Sequence, residues 1–224
     1  MPVQVHFTLA SGLLFTFSLI AAKWLLPTRD CGHLVSPAFV RPSRKLAALG
    51  MIAFCTLLAE GVVNDWSALY LQEVTNASPG LSAAGYATFS LSTASTRLVT
   101  DRLVARTGPR AFVRGAASLA AIGISVALLI TKPIAAILGF GLIGAGLAGV
   151  FPVIIGIAGR QEPNVSSGLN IATVSTIGYL GFLARPVFIG ILAELFTFRT
   201  ALFTIVVING VMFVLASKLE RSIK

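Results

Sequence analysis

The chain has 224 residues, of which 56% are hydrophobic and 11% charged, and its mean hydropathy is +0.90. Soluble globular domains carry about 25% charged residues, so this composition argues against a soluble fold, and so much apolar surface excludes a disordered chain. Lys and Arg number 17 against 8 Asp and Glu, a formal charge of +9; nucleic acid or the inner loops of a membrane protein would each account for it, and its distribution decides between them.

Seven apolar runs follow one another, at about 3–26, 46–72, 81–100, 112–131, 133–159, 168–195 and 199–217. Each holds roughly 19 residues or more, which at about 1.5 Å per residue crosses a hydrocarbon core of about 30 Å. The expected fold is all-α: a polytopic membrane protein with about seven transmembrane helices, the run at 81–100 being the most polar. Met1 to His6 carry no positive charge, whereas Lys23 and Arg29 follow the first run. This is a poor secretory signal and predicts an outside N-terminus.

Residues 27–45 contain Pro27, Pro37 and Pro42 and read as a cytoplasmic linker. They separate a lone helix, 1–26, from a six-helix block, 46–217, which a short tail, 218–224, completes. The block splits into 46–131 and 133–217, which enter from opposite sides as inverted repeats do, without sequence identity between them. Alternation places 27–45, 101–111, 160–167 and 218–224 inside. Fourteen Lys and Arg lie in or beside those segments, against Lys132 and Arg199 outside and Arg185 within a span. The positive-inside rule is satisfied with the N-terminus out and the C-terminus in, and no nucleic acid is needed to explain the charge.

Charged side chains within spans cost about 2.5–3.5 kcal/mol each at a helix centre, so each calls for a partner or a wet cavity. Glu60 lies near the middle of 46–72, and at about 100° per residue Asn64 and Ser67 share its face, while Asp65 is about 140° round and nearer the outer end. On the next span Ser82, Tyr86, Ser90, Thr93 and Arg97 form a polar stripe, which suits a water-accessible pathway or interhelical hydrogen bonding. Arg185 precedes Pro186, where a kink and a free acceptor are expected, and Gly178 and Gly181 leave room beside it. The expectation is that Arg185 and Glu60 approach in the bundle interior, as a substrate and proton site or as mutual neutralisation.

Other signals carry less. Gly139-Phe140-Gly141-Leu142-Ile143-Gly144 formally matches a dinucleotide fingerprint, but it lies inside an apolar run with no strand before it and reads as close helix packing. Cys31, Cys55, His6 and His33 have no metal-ligand spacing, and no nucleophile motif occurs. No catalytic residue, cofactor or metal is expected. Trp66, Tyr70, Tyr86 and Tyr179 offer faces for stacking on a sugar or for anchoring helices at the interface.

The turn Asp101-Arg102, Arg106, Gly108 and Arg110 resembles the D-R-x-x-x-R-x-G-x-R loop of the major facilitator superfamily. Ala59-Glu60-Gly61 with Asp65-Trp66-Ser67-Ala68-Leu69-Tyr70-Leu71 is similar to the seventh helix of a bacterial subfamily related to fucose permease, and Gly178 to Ala184 to its eleventh. Thr96 and Arg185 stand where the family has glycine and a small residue. The resemblance spans about 46–217 and implies the C-terminal half of such a transporter, with Asp101, Arg102, Arg106, Gly108 and Arg110 as its conformational-gating loop. It implies alternating-access transport of a small solute across a bacterial inner membrane, coupled to protons through Glu60. Glu60, Asn64, Ser67, Tyr86, Ser90, Thr93 and Arg185 are the candidate substrate and proton pathway. The partners expected are the lipid bilayer, a small-molecule substrate, and a second half-transporter or another copy of the chain. Two other readings stand beside it: a truncated, non-transporting fragment and, remotely, a seven-helix receptor.

Overall fold

A computed structural model of the chain describes residues 3–22, 42–161 and 165–219. Most of the linker expected at 27–45 and of the tail at 218–224 lies outside the described residues. The chain divides into two units, Met1–Phe39 and Val40–Lys224. In the first, α1 (Val3–Ala22) exposes Phe7, Leu13, Phe15 and Phe17. Its Thr16 hydroxyl donates to the Gly12 carbonyl at 2.7 Å, an internal bond that suits an apolar surround.

The second unit consists of α2 (Arg44–Glu73), α3 (Pro79–Thr107), α4 (Pro109–Leu129), α5 (Pro133–Leu147), α6 (Val150–Ala158), α7 (Ser167–Leu195) and α8 (Phe198–Ser217). No strand occurs among the described residues. Local chemistry explains where the helices start. Ser43, Ser166 and Thr197 each accept the backbone N–H three residues on, and Pro79, Pro109 and Pro133 occupy first-turn positions where their missing N–H costs nothing. Among the described residues five spans are long and apolar enough to cross a membrane: α2, α4, α5 with α6, α7 and α8. The chain is a multi-pass, all-α membrane protein.

Two boundaries differ from expectation. The run 81–100 continues as helix to Thr107, so Asp101, Arg102 and Arg106 stand on the last two turns of α3 rather than in a loop. Arg, Leu, Val and Ala sustain a helix, and nothing breaks it before Gly108, which turns the chain at φ 79° into Pro109. The run 133–159 is interrupted at Ala148–Gly149. Pro152 sits in the first turn of α6, where its ring has no N–H to offer the Ala148 carbonyl, and a continuous helix would need that bond.

The glycines of the dinucleotide-like string serve packing. α5 lies between α3 and α4. A Cβ on Gly123 would stand 2.5 Å from the carbonyl oxygen of Gly139, and one on Gly141 2.9 Å from Thr88 of α3. Close backbone approach of this kind substitutes for the hydrophobic drive that lipid does not supply. The carbonyls at the end of α4 are capped from two other helices: the Tyr70 hydroxyl donates to Ala127 at 2.7 Å, and Arg199 Nε donates to Leu128 at 2.8 Å. α2 packs most extensively on α7. α7 nonetheless leaves Tyr179, Leu180, Leu183, Val187 and Ile191 exposed, and α3 leaves Leu91 and Leu98 exposed.

Candidate functional site

The site is built on α2, where two of the three carboxylates, Glu60 and Asp65, point to different neighbours. Glu60 Oε1 lies 3.4 Å from Arg97 Nη2 on α3, and Asp65 Oδ2 lies 2.9 Å from Arg185 Nε on α7. The expected approach of Arg185 to Glu60 is therefore corrected. Five residues turn a helix by about 140°, so the two acids cannot serve one neighbour, and depth also separates them. Asp65 stands eight residues from the C-terminal end of α2 and Arg185 ten from that of α7, whereas Glu60 stands thirteen away.

Gly61 of α2 provides the room for Arg185, since a Cβ there would collide with the guanidinium. Gly178 and Gly181, expected to provide that room, instead let α7 close on Ala53 and the Phe54 backbone of α2. The guanidinium lies 3.8 Å from the ring centroid of Phe182, a cation–π contact on top of the ion pair. α7 continues as helix through Pro186.

The polar residues around these pairs divide between surface and interior. Asn64 is exposed, while Ser67 is buried with its hydroxyl unpartnered among the described residues. The two share a face, but α3 closes on α2 toward that end, where Gly85 lies against Leu71. The stripe on α3 divides by angle. Ser82 and Thr93 are buried, Ser90 is half-buried, and Tyr86 and Arg97 are exposed. Spacings of four and three make such a row wander by tens of degrees, so Ser82 and Thr93 fall on the side packed by α5, about 20–60° from Tyr86 and Arg97. The stripe is therefore an edge rather than one continuous wet face. Tyr70 is buried as a cap and Trp66 packs on Phe198 at 5.6 Å, which leaves Tyr86 and Tyr179 as the exposed rings.

Arg97 makes a second contact that the sequence reading missed: its Nε donates to the Ala148 carbonyl at 3.2 Å. The signal was present in Pro152, which marks the carbonyl four residues earlier as lacking a backbone donor.

At the α3–α4 junction an open cleft of about 1150 Å³ is lined by Arg97, Asp101, Arg110, Arg114 and Arg160 among others. Asp101 belongs to the expected gating loop. Among the described residues it forms no ion pair, and with Arg102 and Arg106 it is exposed on the helix. Gly108 holds the turn and Arg110 lies in the first turn of α4. Among the described residues no group of three or more His, Cys, Asp or Glu could hold a metal ion.

Residues 49–222 match the family model described as Major Facilitator Superfamily. The chain is 36% identical over 193 residues to an uncharacterised MFS-type transporter of Yersinia pestis, covering 86% of this chain and 50% of that protein. It is 33% identical to the membrane protein MosC of Rhizobium meliloti, over 92% of this chain and 52% of that one. It is 33% identical to an uncharacterised transporter of Sinorhizobium fredii, over 98% and 58% respectively. The chain thus spans about half the length of the curated relatives it matches.

Proposed function

This chain belongs to the major facilitator superfamily, and from that premise we propose that it is the C-terminal half of a secondary transporter that moves a small solute by alternating access. The observation that carries the reading is the pair of ion pairs held within spans, Glu60 with Arg97 and Asp65 with Arg185. Intramembrane charges are kept at a cost of several kcal/mol where they serve a substrate or ion path. The exposed edge around them (Asn64, Tyr86 and the half-buried Ser90, with Arg185) faces that path, and Glu60 is its proton site. Ser67 and Thr93 support the edge from behind. Asp101, Arg102, Arg106, Gly108 and Arg110 form the gating segment at the inner end. The charge distribution supports a bacterial inner-membrane location with the N-terminus out and the C-terminus in.

A two-half pore needs another six-helix bundle, supplied by a longer chain, a second copy or a separate partner. The half-length match also favours a second reading, in which this stretch alone is a non-transporting fragment. Two measurements separate them. A C-terminal tag at the native locus reports a band near 23 kDa for a half-size chain, or one about twice as large for a longer protein. Inverted membrane vesicles containing whichever species is found are then screened with solute pools for solute-evoked proton movement. Solute-evoked flux that Glu60→Gln abolishes supports the proposal. Absence of flux with every pool, together with degradation of the 23 kDa species, supports the fragment.

A further inference from the structure

We infer that Arg97 is a positioning residue: it supplies the hydrogen bond that Pro152 withholds from the broken α5–α6 span, and the charge of Glu60 holds it in place to do so. The inference rests on the proposed role of Glu60 in the pathway, but its test needs no transport.

In a continuous helix the N–H of residue 152 would donate to the carbonyl of Ala148. Proline has no N–H, and the helix is broken there, with Gly149 as the cap of α6. On either side of the break, Ala148 N–H still donates to Gly144 at 3.2 Å and Val153 N–H to Gly149 at 3.3 Å. With no N–H on Pro152, the Ala148 carbonyl is one of the acceptors that the break leaves without a backbone donor. In a membrane span such an acceptor requires a donor from elsewhere, and Arg97 Nε provides it at 3.2 Å from α3.

A guanidinium has five N–H donors fixed in one plane, so it can serve two acceptors at once with little freedom between them. Here the Nε edge takes the carbonyl and Nη2 takes Glu60 Oε1 at 3.4 Å. Three helices thereby meet at one side chain: α2 through Glu60, α3 through Arg97, and the α5–α6 break through Ala148. The other intramembrane carboxylate of α2, Asp65, is engaged by Arg185. α5 and α6 contribute no charged side chain of their own. Neutralising Glu60 therefore removes the anion that anchors Arg97. The arginine side chain is 57% exposed on its other side and is free to swing outward, and the break loses its external donor.

The test is hydrogen–deuterium exchange, read by mass spectrometry over peptides covering 146–156, on the full chain in detergent micelles. Glu60→Gln and Arg97→Ala are each expected to raise exchange in that segment by about tenfold, the scale of one charge-assisted hydrogen bond. Arg97→Lys is expected to fall between, because an ammonium keeps the charge but lacks the planar fork. The deciding variant is Pro152→Ala, which returns a backbone donor to Ala148; in that background Glu60→Gln should leave exchange unchanged. Peptides from α8 serve as an internal control for global loosening. The inference is overturned if Glu60→Gln leaves 146–156 unchanged, if it raises exchange equally in α8, or if its effect survives Pro152→Ala. A solute-transport failure would bear on the proposed function and leave this readout intact.

Discussion

Asp65→Asn offers a test of the site energetics in which the smaller chemical change should do the greater damage. The Arg185 side chain is 14% exposed and Asp65 is 38% exposed, with 2.9 Å between Nε and Oδ2. Unit charges about 4 Å apart attract by about 4 kcal/mol at an effective dielectric constant near 20. Because Asp65 is more than a third exposed, roughly half of that survives, about 2 kcal/mol. The asparagine amide keeps the shape and one acceptor but not the charge, so it strands a guanidinium among α2 and α7. Arg185→Met strands only the more exposed carboxylate, and removes the costly cation along with about 1 kcal/mol of contact with Phe182. The expected order is that Asp65→Asn destabilises by about 2 kcal/mol, roughly thirtyfold in the folding equilibrium, Arg185→Met by about half that, and the double variant lies close to Arg185→Met alone. Reversible unfolding in mixed sodium dodecyl sulfate and dodecylmaltoside micelles measures all four species. The reasoning is refuted if Arg185→Met costs more than Asp65→Asn, or if the costs of the single variants add in the double.

Three glycines make further predictions about space. Gly139→Val should destabilise by about 2–3 kcal/mol through its collision with the Gly123 backbone and Ala127, whereas Gly156→Ala, where the added carbon meets no atom within 4 Å beyond the local helix backbone, should be neutral or gain a few tenths to about 1 kcal/mol; thermal unfolding in detergent compares them. Gly61→Ala should displace the Arg185 guanidinium without altering either charge, and should therefore lower stability by about as much as Asp65→Asn; a loss smaller than about 0.5 kcal/mol would mean that the guanidinium finds a second seat.

Hydropathy made the spans legible because lipid imposes a length on every one of them. The residues at 139–149 likewise announced close packing, since small residues at helical spacing in an apolar run have few other uses. Three features escaped for physical reasons. Asp101, Arg102 and Arg106 read as loop because charge concentrates at membrane edges, yet arginine and leucine are good helix formers and α3 simply outruns the apolar core. The partner of Arg185 was misassigned because angular position on one helix says which acids share a face, not which helix lies opposite. Counting residues from the helix ends would have favoured Asp65 over Glu60. The contact from Arg97 to Ala148 joins residues far apart in the chain and depends on where α3 crosses the broken span, which no local pattern encodes.

The two ion pairs also have an electrical consequence. The two carboxylates and two guanidiniums around α2 sum to zero, so any step that carries these pairs together through the membrane field does no net electrical work. A proton added at either carboxylate leaves one uncompensated positive charge, and moving that charge across the whole potential is worth about 2.3 kcal/mol per 100 mV. The same four residues are thus insensitive to voltage when empty of protons, and respond to it by one elementary charge when one is taken up.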